Sequence, residues 1–167
     1  MNLDAIRNGS RVFIDANILI YALRGASPQC RTLLARCESG AVEGWITTAI
    51  VAEFSHRRMI QEAQALGVVG ANPARTLSEK PALLRQLNRY PDEVRDLLAG
   101  RLQIETLRSE DFHLALEFQQ QFGLLTNDSL NLAVARRFGL ADLATADRGF
   151  DAVQGFIVYK PTDVALP

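Results

Sequence analysis

Short β-branched apolar runs alternate along this chain with longer stretches whose apolar residues recur at helical spacing. Arg11–Ile14 is such a run and ends at Asp15, which predicts a first strand followed by a helix through Ile18–Leu23. Gly25-Ala-Ser27-Pro28 breaks the pattern with a Ser N-cap and Pro at the first helical position. Gln29–Ser39 then carries Leu33, Leu34 and Cys37 on one helical face, and Gly40 closes it. Val42–Thr47 predicts a second strand, and Thr48 is placed to cap a helix running to about Leu66, with Glu53 in its second turn. Gly67–Thr76 reads as a loop, and Leu77–Leu98 as two helical pieces parted at Tyr90-Pro91. A third strand is expected at Leu102–Glu105. Ser109 then caps a helix to Phe122 ended by Gly123, and Thr126 caps another with a Leu130, Ala133, Val134 and Phe138 stripe. Leu143–Thr145 and Phe156–Tyr159 complete the set as short strands.

Strands alternating with helices, without hairpin signals, predict an α/β fold whose mainly parallel sheet of four to five strands is covered on both faces. In open parallel sheets ligands bind at the carboxyl ends of the strands. Asp15 and Asp147 fall there, beside the starts of the helices carrying Glu53 and Asp128. With 167 residues, 48% of them apolar, and no repeat or low-complexity segment, the chain is expected to form one domain spanning 1–167.

Composition narrows the setting. Met1–Arg7 is mixed rather than a basic stretch leading into an apolar run, and no apolar segment approaches membrane-spanning length, so a cytoplasmic protein is expected. Cys30 and Cys37 lie two helical turns apart, roughly 10 Å along the axis, too far for a disulfide. A net charge of −1 argues against a nucleic-acid partner only if the acids are evenly spread. Concentrated in one pocket, they leave a surface whose cations are all arginine except Lys80 and Lys160, and arginine suits phosphate recognition.

Taken singly, each acid has a plain structural explanation. Asp15 caps a helix, Asp128 sits in a helix's first turn, and Asp147 starts a turn before Arg148-Gly149. Glu53, between Ala-Ile-Val-Ala and Phe54, calls for a partner or a cation. Brought together, these carboxylates repel one another unless a divalent ion compensates. Oxygen donors without a Cys or His cluster select Mg²⁺ or Mn²⁺ over structural zinc.

Val12-Phe-Ile-Asp15-Ala-Asn17, Ala52-Glu53-Phe54, Thr126-Asn-Asp128-Ser-Leu130 and Leu143-Ala-Thr145-Ala-Asp147-Arg-Gly-Phe150 together resemble the PIN-domain ribonucleases, and within them the VapC toxins of toxin–antitoxin pairs. The resemblance implies a three-layer α/β/α fold and a metal-dependent endoribonuclease. It further implies Asp15, Glu53, Asp128 and Asp147 as catalytic metal-binding acids, Asp151 as a fifth candidate, and Asn17 and Thr145 as supporting residues. RNA as substrate, a small antitoxin as partner and a homodimer are implied as well. The chain exceeds a minimal member in Gly67–Gly100, a helical insertion where the family's arm often contacts its partner.

Three other readings compete. Glu53-Phe-Ser-His56 and Glu110-Asp-Phe-His113 match the Glu-x-x-His pattern of di-iron bundles, which need four long helices where this chain predicts strands. Ile157-Val-Tyr-Lys160-Pro161 resembles the last strand of receiver domains, but the paired acids and phosphoacceptor Asp those domains need are not in place. Lys160 is then a solvated strand-end residue. A PIN-like scaffold without catalysis is disfavoured by the intact acid set.

Overall fold

The computed structural model describes residues 1–164. They form five strands and eight α-helices: β1 (Arg11–Ile14), α1 (Ala16–Leu23), α2 (Pro28–Glu38), β2 (Glu43–Thr47), α3 (Thr48–Ala65), α4 (Pro73–Glu79), α5 (Pro81–Leu84), α6 (Arg89–Ala99), β3 (Gln103–Glu105), α7 (Asp111–Phe122), α8 (Thr126–Arg137), β4 (Asp142–Ala144) and β5 (Ile157–Tyr159). The strands make one sheet in the order β3-β2-β1-β4-β5, and every pairing is parallel. No helix among the described residues is long and apolar enough to cross a membrane.

Two compact units account for these elements, one of residues 1–51 with 101–164, the other of residues 52–100. The first holds the sheet. Its central strand β1 is buried through Val12, Phe13 and Ile14, as a strand covered on both faces must be. The helices pack in pairs, α1 on α2 and α7 on α8. Ser27 caps α2 by accepting from Cys30 N at 3.0 Å, with Pro28 at the first position. Cys30 and Cys37 are buried free thiols, and that burial pushes both up to about 11.

The second unit packs the rest of α3 with α4, α5 and α6 around Ala63, Leu77 and Leu87. Its polar bonds compensate for so small a core. Glu62 accepts from the backbone N–H groups of Asn88, Arg89 and Tyr90 at 2.8–3.0 Å, so a carboxylate on α3 caps α6. Arg58 and Glu93 form a bidentate pair with both N–O distances at 2.7 Å.

Several expected boundaries move. Capping of α3 falls to Thr47, whose Oγ1 accepts from Ile50 N at 3.1 Å, while Thr48 begins the helix itself. The expected Gly67–Thr76 loop ends early, because Pro73 starts α4. The helical pieces part at Lys80 and again before Arg89, not at Tyr90-Pro91; Pro91 lies in the first turn of α6, where its missing N–H leaves no bond unmade. Ser109 does not cap α7. The Asp111 carboxylate bonds Arg108 N at 2.8 Å just ahead of that helix, and the Ser109 hydroxyl turns to Glu110. At α8 the N-cap residue is Leu125, which offers no side-chain acceptor, and Thr126 is the first helical residue.

Gly44 in β2 is closely overlaid. A Cβ there would lie 2.5 Å from Leu102 Cδ2 and 2.9 Å from both Cys37 Sγ and Ile14 Cδ1. Gly44→Ala is therefore expected to destabilise the protein by about 1–3 kcal/mol, read as a lower urea midpoint at unchanged slope. Burial raises the Glu62 carboxyl, but the N–H bonds from Arg89, Tyr90 and Asn88 outweigh it and hold the group below the usual carboxylate range. A depressed folded value means that this stabilisation is present above the unfolded pKa and is lost as pH falls through the folded one. Wild type should exceed Glu62→Gln in urea stability at pH 7, and the gap should close as pH drops below about 4.

Candidate functional site

The carboxyl edge of the sheet carries a row of polar residues. Phe13 pairs with Trp45, and Ile14 with Ala144. Continuing both registers places Thr47, Asp15 and Thr145 level with one another at the ends of β2, β1 and β4. Side chains at one level of adjacent strands share a face. All three are buried, Asp15 at 8% exposure and both threonines at 0%. Between β1 and β4 the strand order also reverses, since β2 and β3 follow on one side and β4 and β5 on the other. That is the topological switch point at which open parallel sheets bind ligands.

Asp15 is anchored on several sides. Its Oδ1 accepts from Ala16 N at 2.7 Å, capping α1, and its Oδ2 accepts from Thr145 Oγ1 at 2.6 Å and from Asn17 Nδ2. Asn17 Oδ1 in turn accepts from Ala146 N at 2.9 Å. Thr145 Oγ1 also accepts from Asp147 N at 3.0 Å, and Asp147 Oδ1 accepts from Gly149 N at 2.7 Å. Asp15, Asn17, Thr145 and Asp147 thus form one continuous network across the switch point. Asp147 keeps its side chain half-buried at the rim.

Asp128 lies half-buried in the first turn of α8, where the helix dipole favours an acid. One turn on, Asn131 Oδ1 accepts from Thr47 Oγ1 at 2.7 Å, which ties the start of α8 to the strand end beside Asp15. Glu53 stands in the second turn of α3, within the 52–100 unit, and its ionic partner is Arg57 at 3.0 Å. Asp151 is 59% exposed at its side chain and pairs with Lys160. Lys160, 15% exposed, is accordingly not a solvated strand-end residue. Exposed His56 and His113 lie on a chain built around a parallel sheet, which removes the di-iron bundle.

Among the described residues, no three His, Cys, Asp or Glu side chains close around a common point as a complete metal cage would. The donor chemistry nevertheless fits a hard cation. The switch point offers carboxylate and hydroxyl oxygens from Asp15, Thr145 and Asp147, with both cysteines buried in α2. Four arginines that could meet phosphate are already engaged: Arg57 with Glu53, Arg58 with Glu93, Arg137 with Asp111 at 2.8 Å, and Arg136 over the Phe156 ring. Sequence reasoning passed over Asn131 and Thr47. The one available signal was a polar residue inside the run Leu130–Ala135, where each neighbour is buried.

The PIN domain family matches residues 12–155. No curated protein matches the sequence. Similar solved structures include VapBC2 of Rickettsia felis bound to a DNA fragment from its promoter, at 16% identity and TM-score 0.56, covering 90% of this chain and 98% of that one. A toxin–antitoxin complex from Klebsiella pneumoniae is similar at 18% identity and TM-score 0.57, covering 87% and 95%. VapC20 of Mycobacterium tuberculosis, described as a sarcin–ricin-loop-cleaving toxin, is similar at 15% identity and TM-score 0.57, covering 87% and 96%.

The Thr145 hydroxyl serves Asp15 and Asp147 at once. Thr145→Val is expected to lower stability by about 2 kcal/mol in urea denaturation, because it leaves buried polar groups unmatched, whereas Thr145→Ser should recover most of the loss.

Proposed function

Because the chain belongs to the PIN-domain family, we propose that it is a metal-dependent endoribonuclease acting on cytoplasmic RNA, and the toxin of a toxin–antitoxin pair. The observation that carries this reading is the hydrogen-bonded network joining Asp15 to Asp147 through Thr145 at the switch point. A buried carboxylate is costly unless its charge is met, and the network holds Asp15 in one orientation at the place where this sheet type binds ligands.

In this reading Asp15, Asp128 and Asp147 hold Mg²⁺ or Mn²⁺, and Glu53 is the fourth acid, as a ligand or as the group that positions the attacking water. When bound, such an ion makes its water more acidic and stabilises charge on a phosphate leaving oxygen. The chain's own part is preorganisation. Asn17 and Thr145 fix the Asp15 carboxylate from two sides, and the Thr145 hydroxyl sets the backbone before Asp147, so little reorganisation is left for the reaction. Water attacks phosphorus and the 3′ oxygen leaves, giving 5′-phosphate and 3′-hydroxyl ends. Asp151, which pairs with Lys160, is the fifth candidate acid.

An antitoxin that covers the acid site, and a homodimer of this chain, belong to the same proposal. Two of the structural neighbours carry a partner in their descriptions, as VapBC2 and as a toxin–antitoxin complex. The helical insertion Gly67–Gly100 is proposed as the arm of a single PIN-like domain.

The test incubates the purified protein with a mixed RNA pool and Mn²⁺, with EDTA added, and as Asp15→Asn. Cleavage in Mn²⁺ alone, suppressed by EDTA and about 100-fold or more weaker in the variant, is expected. Cleavage that survives EDTA or the substitution overturns the mechanism. A folded wild type that cuts nothing overturns the enzymatic reading in favour of a scaffold.

A further inference from the structure

We propose that Thr47 and Asn131 are positioning residues that set the first turn of α8, and with it Asp128, against the carboxyl edge of the sheet. The role assigned to Asp128 rests on the ribonuclease reading; the positioning itself does not.

Three observations support the assignment. First, the N-cap residue Leu125 gives α8 no side-chain cap, and the local side-chain bond of its first turn, Ser129 Oγ to Thr126 O at 2.9 Å, lies within the helix and does not tie it to the sheet. Second, tertiary bonds take over from both sides. Thr47 Oγ1 donates to Asn131 Oδ1 at 2.7 Å from β2, and Gln119 Nε2 reaches Thr126 Oγ1 and Ser129 Oγ at 3.2 Å from α7. Asp128 falls between these anchor points. Third, the Thr47–Asn131 contact is deeply buried, with Thr47 at 0% and Asn131 at 4% exposure, so neither group can exchange its partner for water without moving the helix.

The same hydroxyl also accepts from Ile50 N at 3.1 Å, so one atom joins the end of β2, the first turn of α3 and α8. Thr47 stands level with Asp15 on the neighbouring strand. A displacement of α8 at this contact therefore changes the distance between Asp128 and the Asp15 network, while the Asp15–Thr145–Asn17 bonds stay intact. A pair that served packing alone would affect stability and leave metal affinity and turnover unchanged.

The variants are Thr47→Val, Asn131→Leu and the conservative Thr47→Ser, each in the full chain. Amide hydrogen exchange is measured over Asp128–Asn131, together with Mn²⁺ affinity by calorimetry and the kcat and KM of RNA cleavage. Thr47→Val and Asn131→Leu should speed exchange in that turn, weaken Mn²⁺ binding by about tenfold or more, and lower kcat with KM unchanged; Thr47→Ser should restore all three. Unchanged exchange in the α8 first turn of folded Thr47→Val overturns the inference. So do Mn²⁺ affinity and kcat that match wild type. Should wild type neither bind Mn²⁺ nor cut RNA, the ribonuclease reading falls, and the exchange comparison alone decides the positioning.

Discussion

A carboxylate buried at the end of the central strand is the constraint on which this structure turns. Asp15 is 8% exposed, and a charge so placed is tolerated only where hydrogen bonds hold it. The chain meets that demand with the first N–H of α1, the Asn17 amide and the Thr145 hydroxyl. Each comes from an element that a parallel sheet brings to the same edge. The Asp15 network is thus both a structural solution and the framework of the proposed catalytic site.

That solution depends on topology. The strand order reverses between β1 and β4, and open parallel sheets bind ligands at such a point. Asp147 follows β4 there, and its backbone N–H is tied to the hydroxyl that also holds Asp15. On the other flank Thr47 plays a corresponding part toward α8. A buried threonine stands on either side of Asp15, each directing a different element to the edge. The 52–100 unit solves a separate problem, where three buried apolar residues are supplemented by the Glu62 cap on α6 and the Arg58–Glu93 pair.

Much of this is legible in the sequence, for reasons that differ by element. Short apolar runs closing on a polar residue mark strand ends, which places Asp15 and Thr145 at the edge of the sheet from residue pattern alone. Asn17 and Asp147 each follow two positions behind those ends, and local geometry carries them along. Helix starts are less legible. Thr47 and Thr48 are equally good caps by type, and only the end of β2 decides between them. Around Tyr90-Pro91, proline reads as a break, yet it is compatible with a first turn, so the division between the helical pieces moves. Thr47 and Asn131 are invisible as a pair, because 84 residues separate them and neither belongs to a local pattern. Asp151 and Lys160 likewise look like separate surface groups until the fold brings them together.

The Asp15 network is proposed as a preorganised site for a divalent cation. Titration of the purified, metal-free protein with Mn²⁺, for wild type and Asp15→Asn, tests it most directly. Saturable binding in wild type that is lost in the folded variant is the predicted result; equal binding by both proteins, or none by wild type, would contradict it.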